Sequence, residues 1–284
     1  MRLATLSIGD TTAAAIVLGD GTARVLGSRS NPAFADVGAV IRSGALDGGL
    51  DELAAGPGEE ISFKDAELLA PVLEPGAVFC VGLNYRSHIL EMGRDLPPAP
   101  TIFDKLPRAL TAPYADVVVP TIASERLDYE GELCVVIGGG GRDIPESEAL
   151  DAVAGYSVFN DVTMRDYQTR SMQWFAGKSW QDASPWGPTL VTRDDFEGSD
   201  HELTVTVNGD VRQRAETSDL VFDVARLVSD LSTIVELYPG DLIATGTPGG
   251  VGEAMNPKGY LQDGDVVEVT ITGLGSLRNT VRVK

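Results

Sequence analysis

Short apolar runs, each closed by Gly, Pro or Asp, recur along the chain and read as β-strands. The clearest are AVFCVGL, DVVVP, ELCVVIG, GYSVFND, HELTVTV, DLIATG and DVVEVTI, all beyond residue 70. Two longer stretches are helical candidates instead: PESEALDAVAG at 145–155 and TSDLVFDVARLVSDLSTI at 217–234. In the second, Leu220, Val224, Leu227, Val228 and Leu231 form one apolar stripe, which predicts a helix face in the core. Asn208-Gly209, set between LTVTV and VRQRAET, predicts a two-residue hairpin, because a type I′ turn needs positive φ at both positions. Residues 1–70 alternate short strand-like pieces with the polar stretch LDGGLDELAAGPGEE, which predicts a small N-terminal α+β domain before a larger domain over 71–284. The expected fold class is β-rich α+β.

Composition agrees with many tight turns: Gly 32 and Pro 16 in 284 residues, with 43% hydrophobic and 23% charged residues. This is the balance of a globular protein with a large core. The formal charge of −20 argues against nucleic acid or an anionic membrane surface as a partner, since both are bound through basic residues. Cys80 and Cys134 lie inside apolar runs, far apart, and read as reduced core residues with no zinc-site spacing. The first apolar run, bracketed by Asp10 and Asp20, is too short for a secretion signal or a membrane span. A cytoplasmic protein is expected.

Chemistry concentrates in LDYEGELCVVIG, residues 127–138. In an extended strand Asp128, Glu130, Glu132 and Cys134 share one face, and Tyr129, Leu133 and Val135 the other. Two glutamates about 6–7 Å apart repel by a few kcal/mol at an effective dielectric near 20. A hard divalent cation would offset that; so would full solvation on an exposed strand face. Asp161, at the end of GYSVFND, offers a third carboxylate or a cap for the turn that follows. Arg165 and Gln168, three residues apart, share a helical face and suit either an anionic ligand or a surface salt bridge. His88 and Glu91 have the spacing of a helical pair, in which a carboxylate raises imidazole basicity as a general base requires; a routine surface pair has the same spacing. With His201, which precedes a hairpin strand, His88 completes the chain's two histidines, which excludes a multi-histidine metal site. GDLIATGTPGGVG at 240–252 lacks the endings of nucleotide-binding loops, although its backbone N–H groups and Thr hydroxyls could cradle a carboxylate.

Taken in order, GLNYRSHILE, DYEGELCVVIG, AGYSVFNDVTMRDYQ, WFAGKSW, Gly187-Pro188, VNGDVRQ and GDLIATGTPGGVG resemble the fumarylacetoacetate hydrolase family, from about residue 75 to the C-terminus. The resemblance implies a mixed β-sandwich or β-roll domain, usually a homodimer, holding Mg²⁺ or Mn²⁺, with Ca²⁺ a third choice. The implied metal ligands are Glu130, Glu132 and Asp161. His88, Glu91 and Lys178 take the catalytic places, and Arg165, Gln168 and Thr247 those that bind substrate. The implied reaction is C–C hydrolysis of an acylpyruvate-like 2,4-dioxo acid to pyruvate and a carboxylic acid; decarboxylation or isomerisation of a 2-oxo acid such as oxaloacetate is the alternative, and a non-catalytic domain with a structural metal the third reading. Two departures from the family pattern, Trp180 to Ala183 and Arg108, lead us to expect changes in the substrate pocket.

Overall fold

Most of the apolar runs pair into one 12-stranded sheet. The computed structural model describes residues 1–27, 32–91, 93 and 95–284, with Pro32 and Glu91 described by their backbone only. The central strands Gly131–Ile137, Val153–Asn160 and Ser184–Thr192 are buried at every position, and the first two read in the sequence as unbroken strand-like runs for that reason. On one side of this centre lie Leu242–Ala244, Val78–Gly82 and Thr101–Asp104; on the other lie Arg2–Ile8, Thr11–Val17, Thr22–Val25 and Glu60–Ser62. The N-terminal strands join the sheet directly, Arg2 pairing with Val191 and Leu3 with Leu190.

A second sheet has five strands, in the order Asp210–Glu216, Glu202–Val207, Val266–Ile271, Gly275–Val283 and Val117–Val119. Alternate residues of Val266–Ile271 are buried, the pattern of a sheet packed on one face. The main core fills the space between the sheets, where Leu133, Val135 and Val158 meet Val205, Val269 and Leu277. Neighbouring residues of the same strands point the other way. Cys134, Val136, Phe159 and Trp186 form a second core with Val37, Val40 and Ile41 of the helix Val37–Arg42. Both cysteines are buried free thiols. Among the described residues no helix is long and apolar enough to cross a membrane.

Two helix expectations change in detail. Residues 146–152 form a 3₁₀ helix, and Val153 already begins a core strand. Of 217–234, only Val224–Ile234 is α-helical, because the Asp223 carboxylate accepts from Arg226 N–H and caps the helix there. The expected stripe is buried, with Leu220 lying ahead of the helix. The hairpin forms as expected, with φ of 54° at Asn208 and 87° at Gly209.

The sheet centre leaves no room at Gly155, where a Cβ would stand 2.1 Å from the Val191 carbonyl oxygen. Gly155→Ala is expected to cost about 1–3 kcal/mol through forced displacement of the neighbouring strand. Urea denaturation should show a lower midpoint with an unchanged slope; an unaltered midpoint would refute the close approach.

Candidate active site

Strand register builds the site. Gly131 pairs with Asn160, so Glu130 and Asp161, each one residue outside that pair, face each other, and Asp161 N–H donates to the Glu130 carbonyl at 2.8 Å. Glu132 sits on the strand itself. A residue larger than Gly between the two glutamates would strike the second sheet, since a Cβ on Gly131 would lie 2.4 Å from Val205 Cγ2. One carboxylate oxygen from each of Glu130, Glu132 and Asp161 lies within 4.8 Å of the others, and all three residues are buried. The solvated-face alternative for E-x-E is thereby removed.

Cations of the chain answer this charge. Lys178 Nζ donates to Glu130 Oε2 at 2.7 Å and Asp161 Oδ2 at 2.6 Å. Lys105 Nζ lies 2.8 Å from Asp161 Oδ1 and also donates to Ser184 Oγ and the Lys178 carbonyl. Arg165 reaches Glu130 Oε1 at 2.6 Å and Asp128 Oδ2 at 2.8 Å, and donates to Gln168 Oε1 at 3.0 Å. Arg165 is therefore buried in a pairing network rather than in a surface salt bridge, and the Asp161 carboxylate meets lysines rather than capping a turn. Lys178 can come this close because it follows Gly177, where a Cβ would press within 2.6 Å of the Gln168 backbone.

Glu132 has a different environment. Its Oε2 accepts from Gly246 N–H at 2.9 Å, so the carboxylate cradled by the T-G-T loop is the chain's own. Burial, and then the charges of Asp161 and Glu130, push the Glu132 carboxyl well above the usual carboxylate range. Burial also pushes Asp161 up, but Lys105 and Lys178 outweigh it and hold that carboxyl below its ordinary value. Lys178 is destabilised as a cation by burial, yet Asp161 and Glu130 raise its pKa overall.

Above the cluster opens a cavity of about 870 Å³, lined in part by Glu130, Arg165, Gln168, Lys178, Thr247 and His88. His88 lies on the short helix Arg86–Glu91 and is half-buried. The side chain of Glu91 lies outside the described residues. The Thr247 hydroxyl donates to the Gly131 carbonyl and accepts from Gln213 Nε2. His201 stacks on Phe196 elsewhere, 3.9 Å between ring centroids. Neither family departure lines the cavity: Trp180 packs edge-on against Tyr167 with its Nε1 donating to the Ala176 carbonyl, and Arg108 is exposed.

Four residues contribute to the site without a role legible in the sequence. Lys105 lies in no segment singled out above, and nothing near it in the sequence signals its partner 56 residues away. Asp128, assigned merely a strand face, accepts from Gly252 N–H, Glu253 N–H and Arg165 and so clamps a distant loop to the site. Phe103 and Trp174 form an aromatic wall that no local spacing announces.

Comparison with known proteins agrees with this geometry. Residues 77–282 match the fumarylacetoacetate (FAA) hydrolase C-terminal family. Oxaloacetate tautomerase YisK of Bacillus subtilis is 39% identical over 242 residues, covering 82% of this chain and 80% of the relative. The fumarylacetoacetate hydrolase of Exiguobacterium antarcticum superposes with a TM-score of 0.87 at 35% identity, over 100% of both chains. A Sphingobium maleylpyruvate hydrolase, solved with manganese(II) and pyruvate, superposes with a TM-score of 0.81 at 27% identity, over 100% of this chain and 99% of that one. The β-rich fold expected from the sequence is the fold of these neighbours, and the chain belongs to the fumarylacetoacetate hydrolase family.

Proposed function

We propose that this chain is a divalent-metal-dependent enzyme that hydrolyses a C–C bond of an acylpyruvate-type 2,4-dioxo acid, giving pyruvate and a carboxylic acid. The observation that carries the reading is the buried cluster of Glu130, Glu132 and Asp161 beneath a cavity that His88 also lines. The donor set is all oxygen and anionic, which fits Mg²⁺ or Mn²⁺. Glu130, Glu132 and Asp161 would hold the ion; when bound, it polarises the carboxylate and keto oxygens of a 2-oxo acid.

Charge supports a monoanionic substrate. Four buried carboxylates, Asp128, Glu130, Glu132 and Asp161, stand against the three buried cations Lys105, Arg165 and Lys178. A dication takes this cluster to a net single positive charge, which one substrate carboxylate neutralises. His88 takes the proton of a water that attacks the distal carbonyl, with Glu91, one turn on, as its partner; the tetrahedral oxyanion then collapses to the carboxylic acid, the C–C bond breaks, and the departing pyruvate enolate takes up the proton held by His88. Lys178, kept protonated by its carboxylate partners, stabilises the oxyanion. Arg165, Gln168 and Thr247 orient the substrate at the cavity floor. A second reading, favoured by the likeness to an oxaloacetate tautomerase, uses the same cluster for proton transfer alone, without an attacking water.

Removing one proposed metal ligand tests the cluster. Glu132→Ala is expected to weaken Mn²⁺ binding by more than the roughly 10–100-fold typical of groups that only support a ligand, and to abolish the rise in melting temperature that Mn²⁺ gives the wild type. Calorimetric affinity equal to wild type would exclude Glu132 as a ligand. The two reactions part at His88. His88→Ala should lower acylpyruvate hydrolysis about 10²–10⁴-fold and leave Mn²⁺ affinity intact, while oxaloacetate tautomerisation or decarboxylation falls far less. Equal losses of both activities would instead make His88 a proton carrier common to both, and no loss in either would remove it from the mechanism.

A further inference from the structure

The cavity has two sides of opposite chemistry. Its floor carries the charged groups already described. Its wall is built from Val81, Gly82, Leu83, Phe103, Met172 and Trp174. Phe103 links the two sides, because its ring centroid lies 5.2 Å from Lys178 Nζ and 5.2 Å from the Trp174 ring, which meets it edge-on at 70°. Thus an apolar surface begins directly beside the ammonium that faces the reacting end of the ligand and runs outward to the half-buried Trp174 and the exposed Met172. Trp174 owes its seat to Gly82, since a Cβ there would stand 2.6 Å from the indole ring.

The hydroxyls that line the cavity among the described residues, those of Thr169, Ser171 and Thr247, each donate to a backbone carbonyl. Among the described residues, the cations lining the cavity are Arg165, Lys178 and Lys258. The first two are engaged by buried carboxylates. Lys258 is held by both the carboxylate and the backbone carbonyl of Glu253, at 3.1 Å to the carboxylate. Glu253 itself lines the cavity. Burial pushes its carboxyl up, but hydrogen bonds from Tyr260, Arg126 and Lys258 hold it at about 2, so it stands as a carboxylate already paired to Arg126 and Lys258. A second carboxylate on the ligand would therefore give up water for an aromatic wall whose neighbouring cations already hold carboxylates, at a cost in desolvation. The volume, about 870 Å³, is in the range of pockets that enclose ligands much larger than a three-carbon acid.

We propose that this cavity selects 2-oxo acids with an apolar distal group, aryl or bulky alkyl, and that Trp174, seated on Gly82, is the residue that selects it. The inference rests on the reading of the floor as a 2-oxo acid site and adds the chemistry of the tail. It sets the chain apart from relatives named for dicarboxylic substrates, such as the oxaloacetate tautomerase and the maleylpyruvate hydrolase.

Binding of unreactive 2-oxo acids separates the two claims. Calorimetric titration of the Mn²⁺-loaded protein with pyruvate, phenylpyruvate and 2-oxoglutarate is expected to give the tightest dissociation constant for phenylpyruvate, at least about tenfold below that of pyruvate, with 2-oxoglutarate no tighter than pyruvate. Tighter binding of 2-oxoglutarate than of phenylpyruvate would overturn the apolar-tail proposal and leave the 2-oxo acid reading standing. Binding of none of the three would overturn the reading of the floor, and the proposal with it. Trp174→Ala should reduce the phenylpyruvate-to-pyruvate affinity ratio about tenfold, Trp174→Phe should restore most of it, and Gly82→Ala should reduce it by displacing the indole. A ratio unchanged in both Trp174→Ala and Gly82→Ala would overturn the assignment to Trp174, including in a variant that folds and binds pyruvate normally.

Discussion

Everything in this site depends on how the protein tolerates carboxylates crowded in its interior. Glu130, Glu132 and Asp161 lie within 4.8 Å of one another at one ligand atom each, in surroundings where unlike partners are the alternative to protonation. Lys178 bridges two of them, Lys105 backs one, and Arg165 ties Glu130 to Asp128. Glu132 is left with a backbone N–H as the hydrogen-bond donor to its carboxylate among the described residues, and with a raised pKa. This unequal distribution makes Glu132 the member of the set that gains most from a further cation.

The fold serves that cluster by bringing distant segments to one end of a strand pair. The antiparallel register of Gly131–Ile137 with Val153–Asn160 fixes two of the carboxylates. The parallel strand pair Leu242–Ala244 and Val78–Gly82 then delivers the T-G-T loop and the start of the His88 helix to the same end of the sheet. The second sheet covers the opposite face and forces Gly at position 131. Burial on both faces makes these strands a fixed centre, onto which the short helices Arg165–Gln168 and Phe175–Lys178 are tied by the ion pairs of Arg165 and Lys178.

How much of this was legible follows from range. The strands were readable because their apolar runs end in Gly, Pro and Asp, and the Asn208-Gly209 turn because its backbone demands are local. The carboxylate set was readable because Glu130 and Glu132 sit two apart and Asp161 closes the next strand. The 145–155 segment looked helical through its Glu and Ala content, yet sheet pairing claimed Val153 onward, a tertiary preference that propensity does not carry. Lys105, Asp128 and Trp174 were hidden for the same reason: each acts through a partner set by topology. The departures at Trp180 and Arg108 drew attention as sequence differences, but neither lines the cavity, whereas Phe103, outside the matching segments, and Trp174, inside WFAGKSW with no role assigned to it, do.

Asn84 gives the arrangement a mechanical character. This fully buried amide donates to the carbonyls of Thr245 and Phe222 and accepts from Phe222 N–H. It thereby fastens the entrance to the six-residue helix of His88 onto the loop whose next residue, Gly246, grips Glu132. A helix that short has little persistence of its own, so its bearing is borrowed from the loop. The imidazole-bearing helix and the strand-borne carboxylate therefore share one loop as a fastening: a displacement of residues 245–246 disturbs the seat of His88 and the hydrogen bond of Glu132 at once.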